Sequence, residues 1–179
     1  MAIRALIIVC AFLFGSCAQA AALGDAPSPG SVGAEQPAAE TLPDAIQNLL
    51  RYALEQDGIA YRRGGTSPES GFDCSGFVRY VFDHVEGVTL PHSARAISQL
   101  GSRIKMTELH PGDLVFFRFM RHTVSHVGIY LGDNRFIHAS GKHTGGVRIS
   151  NLTNGFWTKH FVLARRLDLA SGQLPPISE

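Results

Sequence analysis

Between Asp44 and Gln56 the apolar residues fall at Ile46, Leu49, Leu50, Ala53 and Leu54, the spacing of one helical face, and Gly58 follows its end. Asp44 is a good capping residue for this first helix. The stretch YRRGGTSPESGF then breaks any period and reads as an irregular, exposed loop. Helical spacing returns at Cys74, where Phe77, Val78, Val81 and Phe82 predict a second helix running to about Val85. Pro91 closes the next turn, and Ser93 to Leu100 predicts a short third helix. Beyond His110-Pro111-Gly112-Asp113 the period shortens to two. The segments LVFFRF, SHVGIYL, RFIHAS, GVRISNL and HFVLARRL are brief, rich in β-branched or aromatic residues, and separated by turn residues. They predict an antiparallel sheet of about five strands, and helices followed by such a meander make an α+β domain.

The two ends of the chain do not follow these patterns. Arg4 precedes an apolar run, Ala5 to Gly15, that is too short to span a bilayer, so residues 1–20 read as an export signal. Ala18-Gln19-Ala20 fits an ordinary cleavage site, whereas Leu13-Phe14-Gly15-Ser16-Cys17 resembles a lipoprotein box in which Cys17 would carry lipid and anchor the protein to a membrane. Residues 21–43 contain no Phe, Tyr, Trp or Ile and are dominated by Ala, Pro and Gly, the composition of a disordered tether. The folded domain is expected over 44–168, with a loose tail at 169–179. Hydrophobic residues make up 45% of the chain and include 11 Phe, enough for a packed core. A net charge of +1 argues against a nucleic-acid partner. A monomer is expected.

Export sharpens the cysteine question. Cys10 and Cys17 lie in the N-terminal apolar run, which leaves Cys74 without a partner in an oxidising compartment. An unpaired thiol there is either a small buried hydrophobe or a reactive group. Cys74 opens the second helix, with Asp73 placed to cap it, and a helix N-terminus favours the thiolate and lowers the thiol pKa. A neighbouring base would be a histidine. Of the eight, His84, His92, His110, His122, His143 and His160 fall in loops, helix ends or a strand edge. His126 instead leads the face of its strand opposite Val127, Ile129 and Leu131, beside Gly128, which leaves space for a partner. His138 in the next strand could hold the tautomer of His126 by a hydrogen bond. That pairing carries a condition. A plain two-residue hairpin turn at Asp133-Asn134 would put the two imidazoles on opposite faces, so a bulge or odd loop near Gly132 is required.

The segments YRRGGTSPESGFDCSGFVRYVF, LPHSARAISQLG, PGDLVFF and HVGIYLGDNRFIHAS, in this order, resemble the NlpC (and p-sixty) family of bacterial cell-wall cysteine peptidases. The resemblance spans about Ile46 to Arg166. It implies a papain-like fold, a cofactor-free hydrolase of peptidoglycan stem peptides or cross-links, Cys74 as nucleophile, His126 as base and His138 as orienting residue. It also implies that Tyr61 lines the site near the oxyanion and that Asp73 and Ser75 contact polar groups of the peptide. Arg63 and His92 depart from the family's usual residues, which bears on subsites rather than on the reaction. Two other functions remain open at this level: a catalytically silent wall-binding domain, and a metal site built from Cys74, His126 and His138.

Overall fold

The computed structural model describes residues 42–119, 124–141 and 145–168. The expected export signal, the expected tether up to residue 41 and the expected tail at 169–179 lie outside the described residues. Among the described residues no helix is long and apolar enough to cross a membrane.

Helix α1 (Asp44–Glu55) buries Leu49, Leu50 and Ala53. Two details differ from the sequence pattern. Pro43, not Asp44, stands at the N-cap, and Asp44 is the first helical residue, where its charge still suits the helix dipole. Leu54 is 42% exposed, because it stacks one turn beyond Leu50, itself at the margin of the core. Helix α2 (Cys74–Glu86) fully buries Phe77, Val78, Val81 and Phe82 and ends on Gly87 in the left-handed conformation. Helix α3 (Ala94–Ile97) is capped by the Ser93 hydroxyl, which accepts from Ala96 N–H.

The loop before α2 is more ordered than its composition suggests, since strands β1 (Thr66–Ser67) and β2 (Gly71–Phe72) pair as a small ribbon. The main sheet has six strands rather than about five: β3 (Ser102–Ile104), β4 (Leu114–Phe117), β5 (His126–Gly132), β6 (Arg135–Ser140), β7 (Gly146–Asn151) and β8 (Phe161–Arg166). All neighbours are antiparallel, in the order β3-β8-β4-β5-β6-β7. The unpredicted strand, β3, is three residues long and mostly polar, so it has no hydrophobic period to read; pairing with β8 makes it a strand. A short helix, α4 (Gly155–His160), also went unpredicted; the Asn154 side chain caps it.

Two cores flank the sheet. Leu114, Phe116, Val127, Ile129, Ile137 and Ala139 pack with the apolar residues of α1, α2 and α3. Val115, Phe117, Tyr130, Phe136 and Ala164 form the second core on the opposite face, with Leu152, Trp157 and Phe161. Burial on both faces explains why β4 reads as an unbroken apolar run.

Candidate active site

Cys74 stands at the first turn of α2, and Asp73 builds that turn. One Asp73 oxygen accepts from Gly76 N–H at 2.7 Å and from the Ser75 hydroxyl at 2.9 Å. The other accepts from Gly64 N–H at 2.9 Å, which ties the glycine-rich loop to the helix start. Ser75 is only 6% exposed and its Oγ also lies 3.0 Å from the His92 carbonyl. Its hydroxyl is turned inward and braces α2 against the His92 segment. Asp73, partly exposed, is spent first on capping.

The Cys74 sulfur reaches the start of β5. It lies 4.0 Å from the Ser125 carbonyl, and the backbone N–H of Val127 favours its ionised form, so it meets the chain on both sides of His126. Burial first, then the Asp73 carboxylate, push the thiol up to about 11, against the backbone N–H groups of Val127, Ser75 and Cys74. The expected lowering by the helix N-terminus is thus outweighed by desolvation. Burial likewise draws His126 down to about 4, with the Asp73 charge acting in the opposite sense. Near neutral pH the two groups rest as a thiol and a neutral imidazole.

The hairpin between β5 and β6 meets the condition stated above. Asp133 and Asn134 both have positive φ, 50° and 58°, as in a primed two-residue turn that matches strand twist. Gly132 pairs with Arg135, but the next pair is Tyr130 with Phe136, so Leu131 is bulged out. From there inward His126 and His138 share a face. His126 Nε2 lies 2.8 Å from His138 Nδ1. Gly128 permits this approach, because a Cβ there would fall 2.8 Å from the Phe136 ring and 2.9 Å from the Ile137 carbonyl. Both imidazoles lie on the face away from α2, among Phe117, Phe136 and Trp157. His138 is fully buried, and burial, then His126 and Arg148, draw it down to about 2.

Two residues at this site carry no sequence signal. Ser150 on β7 places Oγ 3.0 Å from His138 Nε2, and the Trp157 ring centroid is 4.8 Å from that of His138. Both come from segments whose local patterns say nothing about a histidine many residues away. Tyr61 is partly buried, its N–H donates to the Gly145 carbonyl at 3.0 Å, and its phenol is pushed up by burial and by the charges of Cys74 and Asp73, its neighbours. His92 is exposed and bonded to Arg79 at 2.9 Å, while His122 and His143 lie outside the described residues. Among the described residues no group of three or more His, Cys, Asp or Glu is arranged to hold a metal ion. A thiol, a basic imidazole nitrogen and helix-start N–H groups together can perform acyl transfer.

The family model described as the NlpC/P60 family matches residues 58–166. The chain is 38% identical over 152 residues to the murein DD-endopeptidase MepS/murein LD-carboxypeptidase of Escherichia coli (strain K12), a match covering 79% of this chain and 78% of that protein. It is 38% identical over 136 residues to the gamma-DL-glutamyl hydrolase of Bacillus subtilis (strain 168), covering 75% of this chain and 31% of that protein. Among solved structures, an NlpC/P60 family protein from Bacillus cereus superposes with a TM-score of 0.63 at 32% identity, over 69% of this chain and 40% of that one. The peptidoglycan hydrolase RipB of Mycobacterium tuberculosis gives 0.59 at 30% identity, over 69% and 64%. The fold is papain-like α+β, and the family match takes in both the helix-start cysteine and the paired histidines. The chain belongs to the NlpC/P60 family.

Proposed function

We propose that this cysteine-type peptidoglycan hydrolase cuts an amide bond of the stem peptides or their cross-links with Cys74, His126 and His138, through an acyl-enzyme. The observation that carries the reading is the 2.8 Å bond between His126 Nε2 and His138 Nδ1. It commits Nε2 and leaves Nδ1 as the nitrogen of His126 that can take the thiol proton. As that proton moves to Nδ1, sulfur attacks the carbonyl carbon. The oxyanion that forms meets backbone N–H groups at the start of α2, with the Tyr61 phenol beside it. His126 then returns the proton to the leaving amine, and water releases the acyl group from sulfur by the same route. No step needs a cofactor. Asp73 holds the nucleophile turn in place and offers its exposed edge to the peptide, while Ser75 supports that turn from beneath.

The protein works at the cell envelope, in keeping with its wall-hydrolase relatives. We read it as a monomer with no nucleic-acid partner, joined to a membrane where Cys17 carries lipid; labelled palmitate that is still incorporated after Cys17→Ala would exclude that site. The relatives' names divide among DD-, DL- and LD-cleaving activities, so the bond is the quantity to measure. Purified peptidoglycan digested with the protein should yield new peptide ends in the mass spectrum, and Cys74→Ala should yield none. Unchanged cleavage by Cys74→Ala would overturn the mechanism. Binding without cleavage by the unaltered protein would instead make it a silent wall-binding domain.

A further inference from the structure

His138 has no exposed surface, so each of its ring nitrogens must find a partner inside the protein. Nδ1 meets His126 Nε2 at 2.8 Å, and Nε2 meets Ser150 Oγ at 3.0 Å. The β6–β7 register makes the second contact possible. His138 pairs with Arg148 and Phe136 with Ser150, which puts Ser150 diagonally opposite His138 on the same face. Phe136, stacked at 4.8 Å and 28°, and Trp157, edge-on at 4.8 Å and 76°, wall the ring on its sides.

A neutral imidazole has one donor nitrogen and one acceptor nitrogen. When His126 takes the thiol proton it becomes an imidazolium, with N–H at both positions. Its Nε2–H must then donate to His138 Nδ1, and neutral His138 must carry its own proton on Nε2. That N–H is buried, and an oxygen has to receive it. We propose that Ser150 is the positioning residue that accepts this hydrogen bond and holds His138 in the Nε2–H tautomer, so that His126 keeps a free Nδ1 at rest and a supported charge once protonated. Ser150 is half-buried, so its own proton can turn toward the surface while its lone pair faces His138. The proposal rests on the catalytic reading above.

Without the hydroxyl, the Nε2–H tautomer leaves a buried donor unpaired. The alternative tautomer points Nδ1–H of His138 at His126 and forces the His126 proton onto the nitrogen that should receive the thiol's. Ser150→Ala should therefore lower kcat by about 10- to 100-fold with KM within about 2-fold, because the loss is felt once His126 is charged. Ser150→Thr, which restores an acceptor, should recover activity to within about 3-fold of the starting protein. In histidine-labelled protein, nitrogen NMR near neutral pH should find His138 protonated on Nε2, and Ser150→Ala should move that proton toward Nδ1. A His138 proton on Nδ1 in the unaltered protein would overturn the proposal even if Ser150→Ala failed to fold. So would an unchanged kcat in a folded Ser150→Ala protein. Should Cys74→Ala or His126→Ala still hydrolyse peptidoglycan, the underlying catalytic reading fails instead, a result distinct from either of these.

Discussion

Desolvation and the helix N-terminus pull the Cys74 thiol in opposite directions, and in this structure desolvation prevails. A thiol held near 11 ionises only as pH rises, so iodoacetamide rates at Cys74 should keep climbing above about pH 10, where an unperturbed thiol of pKa about 8.5 has levelled off. A plateau reached below 8.5 would reveal a preformed thiolate–imidazolium pair and reverse this ranking. His138 is tested by its replacements. His138→Ala should slow turnover by about 10- to 1,000-fold while Cys74 stays open to modification, since His126 loses its orienting acceptor but the thiol remains. His138→Asn should regain part of the rate, because an amide oxygen can still accept from His126 Nε2–H. Equal losses in the two variants, measured as kcat, would show that His138 acts through ring packing instead. The candidate base His126 and its orienting partner His138 were legible as single residues. Ser150 and Trp157 were not, because their roles exist only after β7 pairs with β6 and α4 packs on the second face of the sheet.

Helix α2 shows how one side chain can set an element and a site together. Asp73 caps Gly76 N–H and also holds Gly64 N–H, so it fixes both the helix start and the loop that precedes it. Asp73→Ala should cost about 1–2 kcal/mol in urea unfolding, and Asp73→Asn clearly less, because the amide oxygen still serves as a cap. A loss below about 0.5 kcal/mol would mean that solvent replaces both bonds. The cap was legible from sequence because capping chemistry is local. Strand β3 was not, since Ser102-Arg103-Ile104 becomes a strand only by pairing with β8, far along the chain. The β5–β6 hairpin stands between these cases. Sequence geometry demanded an irregularity near Gly132, and the fold supplies it as a bulge at Leu131 next to a primed turn at Asp133-Asn134. The opposite strand decides which residue is bulged, because Phe136 must pair with Tyr130 to share its core.

For the whole molecule, two buried neutral histidines make stability depend on acidity. Above pH 6.5 both are neutral in the folded and unfolded chains, so neither contributes to the pH dependence. Below 6.5 the unfolded chain takes up two protons that the folded chain refuses, down to about pH 4 for His126 and about pH 2 for His138. Stability should fall by about 1.4 kcal/mol per pH unit for each site over that window. Urea unfolding between pH 4.5 and 7 measures this, and a folded His138→Asn variant should show about half the histidine-linked slope. A slope unaltered by that variant would mean that His138 takes its proton in the folded state as readily as in the unfolded one. Periodicity, capping and residue chemistry act over a few neighbouring positions, so helices α1 to α3, most strands, the Asp73 cap and the candidacy of Cys74, His126 and His138 can be read from the chain. Tertiary structure alone decided that the imidazoles lie on the face away from α2, that Ser75 turns inward, that burial outweighs the helix dipole at Cys74, and that Ser150 meets His138. Each of these depends on the register and burial that only assembly of the sheet creates.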